Sequence, residues 1–280
     1  MLELPEVEVL RKDLEKEVVG KKVKDVNVQT AGIVRPYHRN RPELVKALEG
    51  RKIDAVRRRG STLFLDLDDA STWVIDPGEN GNLHRQSANA DAGEDTHLTV
   101  SFTVGGAIHV SESGQEPTAT TGVVPTEGAE DAAGVSPDAL DPLDDSPTWM
   151  EFGRFLIAAA TPLKLLLTDP TKVAGIGPVY SDEILWEAGL RHDRSSDTLS
   201  TQEVRRLYRA MHEVIFAAMK QVGSSLEDVD PAEPSEDDEV AEHLKVYGRD
   251  GLPCYRCRSP IVRTRLRKGV YTYHCERCMI

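Results

Sequence analysis

Leu4, Val7, Leu10, Leu14 and Val18 recur at three- and four-residue spacing, the period of one buried helix face. Pro5 suits the first turn of that helix, where its missing N–H costs nothing. Residues 21–30 then carry Val23, Val26 and Val28 in a strand-like pattern, and 41–48 reads as a short helix. Strand patterns follow at 52–57, 62–67 and 72–75. Another pair at 97–104 and 107–111 is joined by Gly105-Gly106, a hairpin signal. Several short strands separated by turn residues predict a β-sandwich behind the first helix.

After residue 147 the period becomes helical. Helices are expected at 152–160, 162–168, 179–188 and 201–222. The last has Ser200 as N-cap and Glu203 three positions on, a capping box. Gly175-Ile176-Gly177 separates two of these helices, and Pro178 opens the second. Such a turn can present backbone N–H groups to a phosphate. The stretch between the two patterns, 113–147, is rich in Pro, Gly and acids, and is expected to be loop and interdomain linker. The fold class is therefore α+β.

The 280 residues suggest about two domains. The start is acidic and lacks the apolar run of a signal peptide, and no segment approaches a membrane span. A cytoplasmic monomer is expected. Net charge is −13, which opposes binding to a polyanion such as nucleic acid. The charge is uneven, however. Acid concentrates at 112–146 and 226–242, and basic residues gather at 57–59, 205–209 and 249–268. A local basic face can survive a negative total; acidity that serves solubility alone fits equally well.

All four cysteines lie in the last 27 residues, as Cys254-x-x-Cys257 and Cys275-x-x-Cys278. Two such pairs can grip one Zn²⁺ as four thiolates, a closed structural site with no open coordination position. Alternation at 261–266 and 270–273 predicts a hairpin between them. At the other end of the chain, Glu3, Glu6 and Glu8 crowd the positive end of the first helix. An amine, a carboxylate and a helix N-terminus can form a catalytic cluster. The same residues also suit an ordinary acidic helix start.

E-L-P-E-V-E from Glu3, G-I-G-P-V-Y-S-D-E from Gly175, and V-Y-G-R-D-G-L-P-C from Val246 occur in this order across the whole chain. Together with the four-cysteine finger, they resemble the Fpg/Nei family of formamidopyrimidine-DNA glycosylase and endonuclease VIII. The resemblance implies four segments: a catalytic-like β-sandwich domain at 1–112, the linker at 113–147, a helix–two-turn–helix domain at 148–243, and a zinc-finger hairpin at 244–280. It also implies double-stranded, damaged or distorted DNA as partner. Lys164, Gly175, Gly177, Arg249, Arg265, Arg267 and Lys268 are the expected contacts. Glu3 and Glu6 match the family's two N-terminal glutamates.

Other family positions differ. The proline whose secondary amine attacks the sugar is Leu2 here, so any amine would be that of Met1, displaced by roughly 3–4 Å. The turn lysine aligns with Ser61, which by itself is an ordinary turn serine. The void-filling methionine aligns with Glu79, and the helix–two-turn–helix asparagine with Pro178. Gly114-Gln115-Glu116-Pro117 stands where an arginine–phenylalanine wedge is expected, and Val270 in place of the finger-tip arginine. Three functions remain open. The protein is a monofunctional N-glycosylase using Glu3 and water, a non-catalytic DNA-binding member, or a scaffold that binds a protein partner through its acidic segments. Bifunctional lyase activity is what the sequence argues against.

Overall fold

The first apolar stripe becomes helix α1 (Leu4–Val18), with Leu4, Val7, Leu10, Leu14 and Val18 all buried. The computed structural model describes residues 2–78, 81–86, 93, 95–112, 117–226, 244–267 and 270–280. The chain divides into two compact units, Met1–Pro137 and Asp138–Ile280.

In the first unit, β1 (Val23–Val28) and α2 (Arg41–Leu48) precede a run of strands. These are β2 (Ile53–Arg59), β3 (Thr62–Leu67), β4 (Ser71–Asp76), β5 (Gly81–Gln86), β6 (Thr96–Phe102), β7 (Ala107–Glu112) and β8 (Thr120–Pro125). They form two four-stranded antiparallel sheets, ordered β1-β6-β7-β5 and β2-β3-β4-β8. One apolar core joins them to α1. Val26, Leu98, Val100 and Ile108 come from one sheet, and Ile53, Leu63, Leu65, Trp73 and Ile75 from the other. Each such side chain stabilises the unit by about 1.5–3 kcal/mol relative to exposure. The Trp73 indole N–H is satisfied at depth by Thr121 Oγ1 at 2.8 Å.

Strands β5 and β8 escaped the sequence pattern, and both are sheet edges. Their sequences, G-N-L-H-R-Q and T-T-G-V-V-P, carry little apolar alternation, which a sheet edge tolerates because one side is free. The 113–147 stretch, expected as loop, therefore contains a strand. It also contains the short helix α3 (Ala129–Ala132). Ala129, Ala133 and Val135 cover Phe64 and Val74 on the sheet face opposite the main core, beside Tyr37. Gly122 on β8 is required there, since a Cβ would stand 2.2 Å from Tyr37 Cβ.

The second unit contains α4 (Trp149–Ala159), α5 (Leu163–Leu167), α6 (Pro178–Ala188) and α7 (Thr201–Leu226). The two strands β9 (Val262–Arg267) and β10 (Val270–His274) follow as an antiparallel hairpin. The expected capping box at the start of α7 is present. Glu203 Oε2 accepts the Ser200 N–H at 2.8 Å, and Ser200 Oγ accepts the Glu203 N–H at 3.4 Å. Among the described residues, no helix is long and apolar enough to cross a membrane.

Candidate nucleic-acid interface and metal centre

Each cysteine pair sits on a tight turn. The Arg258 N–H donates to the Cys254 carbonyl at 2.9 Å, and the Met279 N–H to that of Cys275 at 3.0 Å. The turns bring all four sulfurs within 4.8 Å of one another. Cys257 and Cys275 are 3.4 Å apart, and Cys254 and Cys278 4.0 Å. A tetrahedral zinc with Zn–S of about 2.3 Å places its sulfurs about 3.8 Å apart, so the set fits that ion. Disulfide sulfurs would lie at about 2.05 Å. Hydrogen bonds from Ser259 bring the Cys257 thiol down to about 6. Burial and the adjacent sulfurs push Cys278 up to about 12. Four sulfurs this close cannot all ionise without a cation between them.

The hairpin between the pairs carries V-R-T-R-L-R on β9. Arg263, Arg265 and Arg267 are exposed and alternate with half-buried Thr264 and Leu266. Sequence analysis singled out Arg265 and Arg267 but passed over Arg263, although the period-two pattern contains it. Arg263 lies over the Tyr271 ring at 3.9 Å. Arg249 lies over Tyr255 at 3.7 Å and donates to the Lys245 carbonyl at 3.0 Å. Lys268 falls outside the described residues.

Helix α6 anchors this hairpin. The Asp182 carboxylate accepts from Thr272 Oγ1 at 2.6 Å and from the Tyr273 N–H at 2.8 Å. Glu183, its neighbour, accepts three backbone N–H groups, those of Lys245, Val246 and Tyr247, at 2.9–3.1 Å. Arg256 donates to the Trp186 and Glu187 carbonyls, which end α6. The acids of the S-D-E segment and the V-Y-G-R segment thus hold one another. Gly177 is the N-cap of α6 with Pro178 at its first position, and Gly175 has φ of +80°.

Lys164 requires a correction. Expected at a DNA surface, it is 0 % exposed. Its ammonium donates to the Pro178 carbonyl at 2.7 Å, Ser181 Oγ at 2.8 Å and Asp182 Oδ1 at 2.7 Å. A lysine enclosed with an acid and two further acceptors has no charge to offer a phosphate. Several residues of the basic runs also pair with carboxylates, Arg58 in the interior and Arg209 on an exposed helix face. Arg57 pairs with Asp66 and Glu130, Arg58 with Glu8, and Arg209 with Glu213. Burial alone would raise the Glu8 carboxyl, but hydrogen bonds from Arg11 and Arg58 outweigh it and hold it below the usual range.

At the N-terminus of α1, Glu3 is the N-cap and is 2 % exposed. Glu6 Oε2 accepts the Glu3 backbone N–H at 3.0 Å, in capping-box fashion. Leu2 packs against the main core. Ser61 follows Gly60 in the β2–β3 turn, half-buried. Asp76 closes a turn by accepting the Gly78 N–H at 3.0 Å. Met1, Glu79 and residues 114–116 lie outside the described residues, as do 227–243.

The sequence pattern of the formamidopyrimidine-DNA glycosylase N-terminal domain matches residues 1–115, and that of the formamidopyrimidine-DNA glycosylase H2TH domain matches 139–230. The formamidopyrimidine-DNA glycosylase of Nocardioides sp. is 33% identical over 99% of this chain and 94% of its own. That of Heliobacterium modesticaldum is 33% identical over 99% of each chain. Among solved structures, Lactococcus lactis Fpg in complex with DNA containing an abasic site superposes with a TM-score of 0.85, at 25% identity and 99% coverage of both chains. The same protein in complex with Fapy-dG-containing DNA gives 0.84, at 25% identity and the same coverage. Two domain patterns that together span most of the chain, and relatives 33% identical over nearly its whole length, show that the chain belongs to the Fpg/Nei family.

Proposed function

We propose that this protein is a DNA-repair, glycosylase-like protein that binds damaged or distorted double-stranded DNA. At most it acts as a monofunctional N-glycosylase. The observation that carries this reading is Glu3, an acid buried at the N-terminus of α1. The chain around it is matched end to end by relatives solved with abasic-site and Fapy-dG DNA. A damaged nucleotide flipped from the stack would bring its sugar to that carboxylate. Glu3 would then take a proton from a water that attacks C1′, while the N-glycosidic bond breaks and the base leaves with the bonding electrons and is protonated from solvent. Leu2 cannot supply the secondary amine that a proline offers, which weighs against a Schiff base and strand cleavage. The four cysteines would hold one structural Zn²⁺. The protein would work as a cytoplasmic, nucleoid-associated monomer.

A non-catalytic member that binds without cutting is the second reading. Ser61, where the family places a lysine, and Glu6, engaged with the Glu3 N–H, favour it. Fluorescence anisotropy with intact and abasic-analogue duplexes, followed by base-release assays, tests both. Base release that disappears in Glu3→Gln supports the enzyme. Lesion-selective binding with no release supports the binder. No binding to either duplex at low salt removes both and leaves the scaffold with a protein partner.

A further inference from the structure

We infer that the outer face of α4, with the adjoining stripe of α7, is a docking surface for an acidic amphipathic helix of a partner protein. The inference stands apart from the DNA-binding reading. It begins with composition. Helix α4, W-M-E-F-G-R-F-L-I-A-A, holds eight apolar side chains, yet only Phe152 and Leu156 are buried. One side packs on α7. Phe152 meets Tyr208 with ring centroids 5.8 Å apart, and a Cβ on Gly153 would stand 3.3 Å from Val204 Cγ1. A helix this apolar is composed to be covered on both sides.

The uncovered side is continuous. Met150, Arg154, Ile157 and Ala158 fall at i, i+4, i+7 and i+8, one face of the helix, and all four are exposed. Met150 is 52 % and Ile157 65 % open to solvent. The exposed positions of α1, by contrast, are Lys12, Glu15 and Lys16. Single exposed apolar residues are ordinary, whereas a contiguous row of them marks a contact surface. On α7, Arg205, Arg209 and Phe216 share a stripe, and Phe216 is 57 % open. Arg205 brings that stripe to α4, since its guanidinium lies 4.2 Å from the Trp149 ring centroid.

Charge selects the occupant. Among the described residues, Arg154 and Arg205 form no ion pair. Arg209 meets Glu213 at 3.6 Å on open surface, where such a pair is weak. The nearby acids are committed to helix ends. Glu151 accepts the Thr148 N–H and Glu203 the Ser200 N–H, each at 2.8 Å, and Glu203 also pairs with Arg194. Apolar anchors beside arginines complement an acidic segment with apolar residues of its own. Met150 and Ile157 lie two helical turns apart, about 10 Å along the axis, which matches anchors at i and i+7 of a second helix.

The test presents the purified protein with a displayed library of random helical peptides, and measures labelled synthetic copies of the enriched sequences by anisotropy. Enriched peptides should be acidic, with apolar residues at i, i+3 or i+4, and i+7. Met150→Ser combined with Ile157→Ser should weaken their binding about tenfold or more. Arg154→Glu combined with Arg205→Glu should weaken it to a similar degree, and peptides with lysine in place of each acid should bind that variant better than wild type. Val104→Ser, at an exposed residue in the β6–β7 turn, should change nothing. Melting temperature is measured for each variant, and single substitutions stand in if a pair does not fold. Enriched peptides that are basic or uncharged, peptides indifferent to both pairs of substitutions, or no enrichment at all overturn the docking surface. Loss of abasic-duplex affinity in the Met150/Ile157 variant also overturns it and assigns the face to DNA. A concentration-dependent dimer that the same variant abolishes assigns the face to a second copy instead. Lost peptide binding beside unchanged duplex binding and a monomeric protein is the expected result.

Discussion

The Lys164 ammonium lies 2.7 Å from Oδ1 of Asp182, and both side chains are shut off from water. Burial pushes the Asp182 carboxyl up, against the pull of Lys164 and of the Thr272 and Tyr273 hydrogen bonds. The pair therefore links the α5 segment, α6 and the cysteine hairpin. Lys164→Met would leave the acid buried without its cation. A loss of about 3–5 kcal/mol is expected in urea unfolding. A loss below about 1 kcal/mol would mean that the ion pair is not what holds these elements.

Metal content gives the next prediction. Zinc analysis should find one ion per chain, and Cys254→Ser should reduce that content and lower the melting temperature. The reason is geometric. The hairpin that the sulfurs close also supplies the Thr272 and Tyr273 donors to Asp182. Chelation should therefore perturb amide protection in α6 as well as in the hairpin. Protection changes confined to the hairpin would show that Asp182 does not transmit the effect.

The capping box of α7 predicts a pH dependence. Hydrogen bonds from Arg194 and Ser200 bring the Glu203 carboxyl from 4.5 down to about 2. A depressed carboxyl contributes stability that is complete above the unfolded value and is lost as pH falls through the folded one. The stability gap between wild type and Glu203→Gln should thus be constant above about pH 5 and shrink from there towards pH 2. Urea melts at several pH values would measure it, and a gap that widens on acidification would contradict the assignment.

Leu2 carries a prediction about chemistry. Borohydride traps a Schiff base between an amine and an abasic sugar. With Leu2 packed on the core, no trapped adduct is expected on an abasic duplex, even where binding is tight. A covalent adduct on denaturing gels would restore amine catalysis, and peptide mapping would locate the amine.

Elements with a strong repeat were legible from residue spacing. The α1 stripe, the β3 and β4 strands, the α7 capping box and the four cysteines each encode structure locally, because the backbone period turns spacing directly into a face. Strands β5 and β8 were hidden because G-N-L-H-R-Q and T-T-G-V-V-P carry little apolar alternation, whereas β1 and β2, also edges, carry enough to be read. The cover that Ala129, Ala133 and Val135 give to Phe64 depends on residues about 65–70 positions away.

Which charges are partnered is a matter of long-range packing. Lys164 and Arg265 are equally basic in sequence, and so are Arg58 and Arg263. The fold alone separates them: Lys164 and Arg58 are enclosed with acids, while Arg263, Arg265 and Arg267 face solvent and, among the described residues, meet no carboxylate. Glu183 reads as one more acid on a helix until Lys245, Val246 and Tyr247 arrive to donate to it. A charge acquires its role from what is brought within about 3–4 Å of it, and sequence spacing reports that distance only for neighbours on one element.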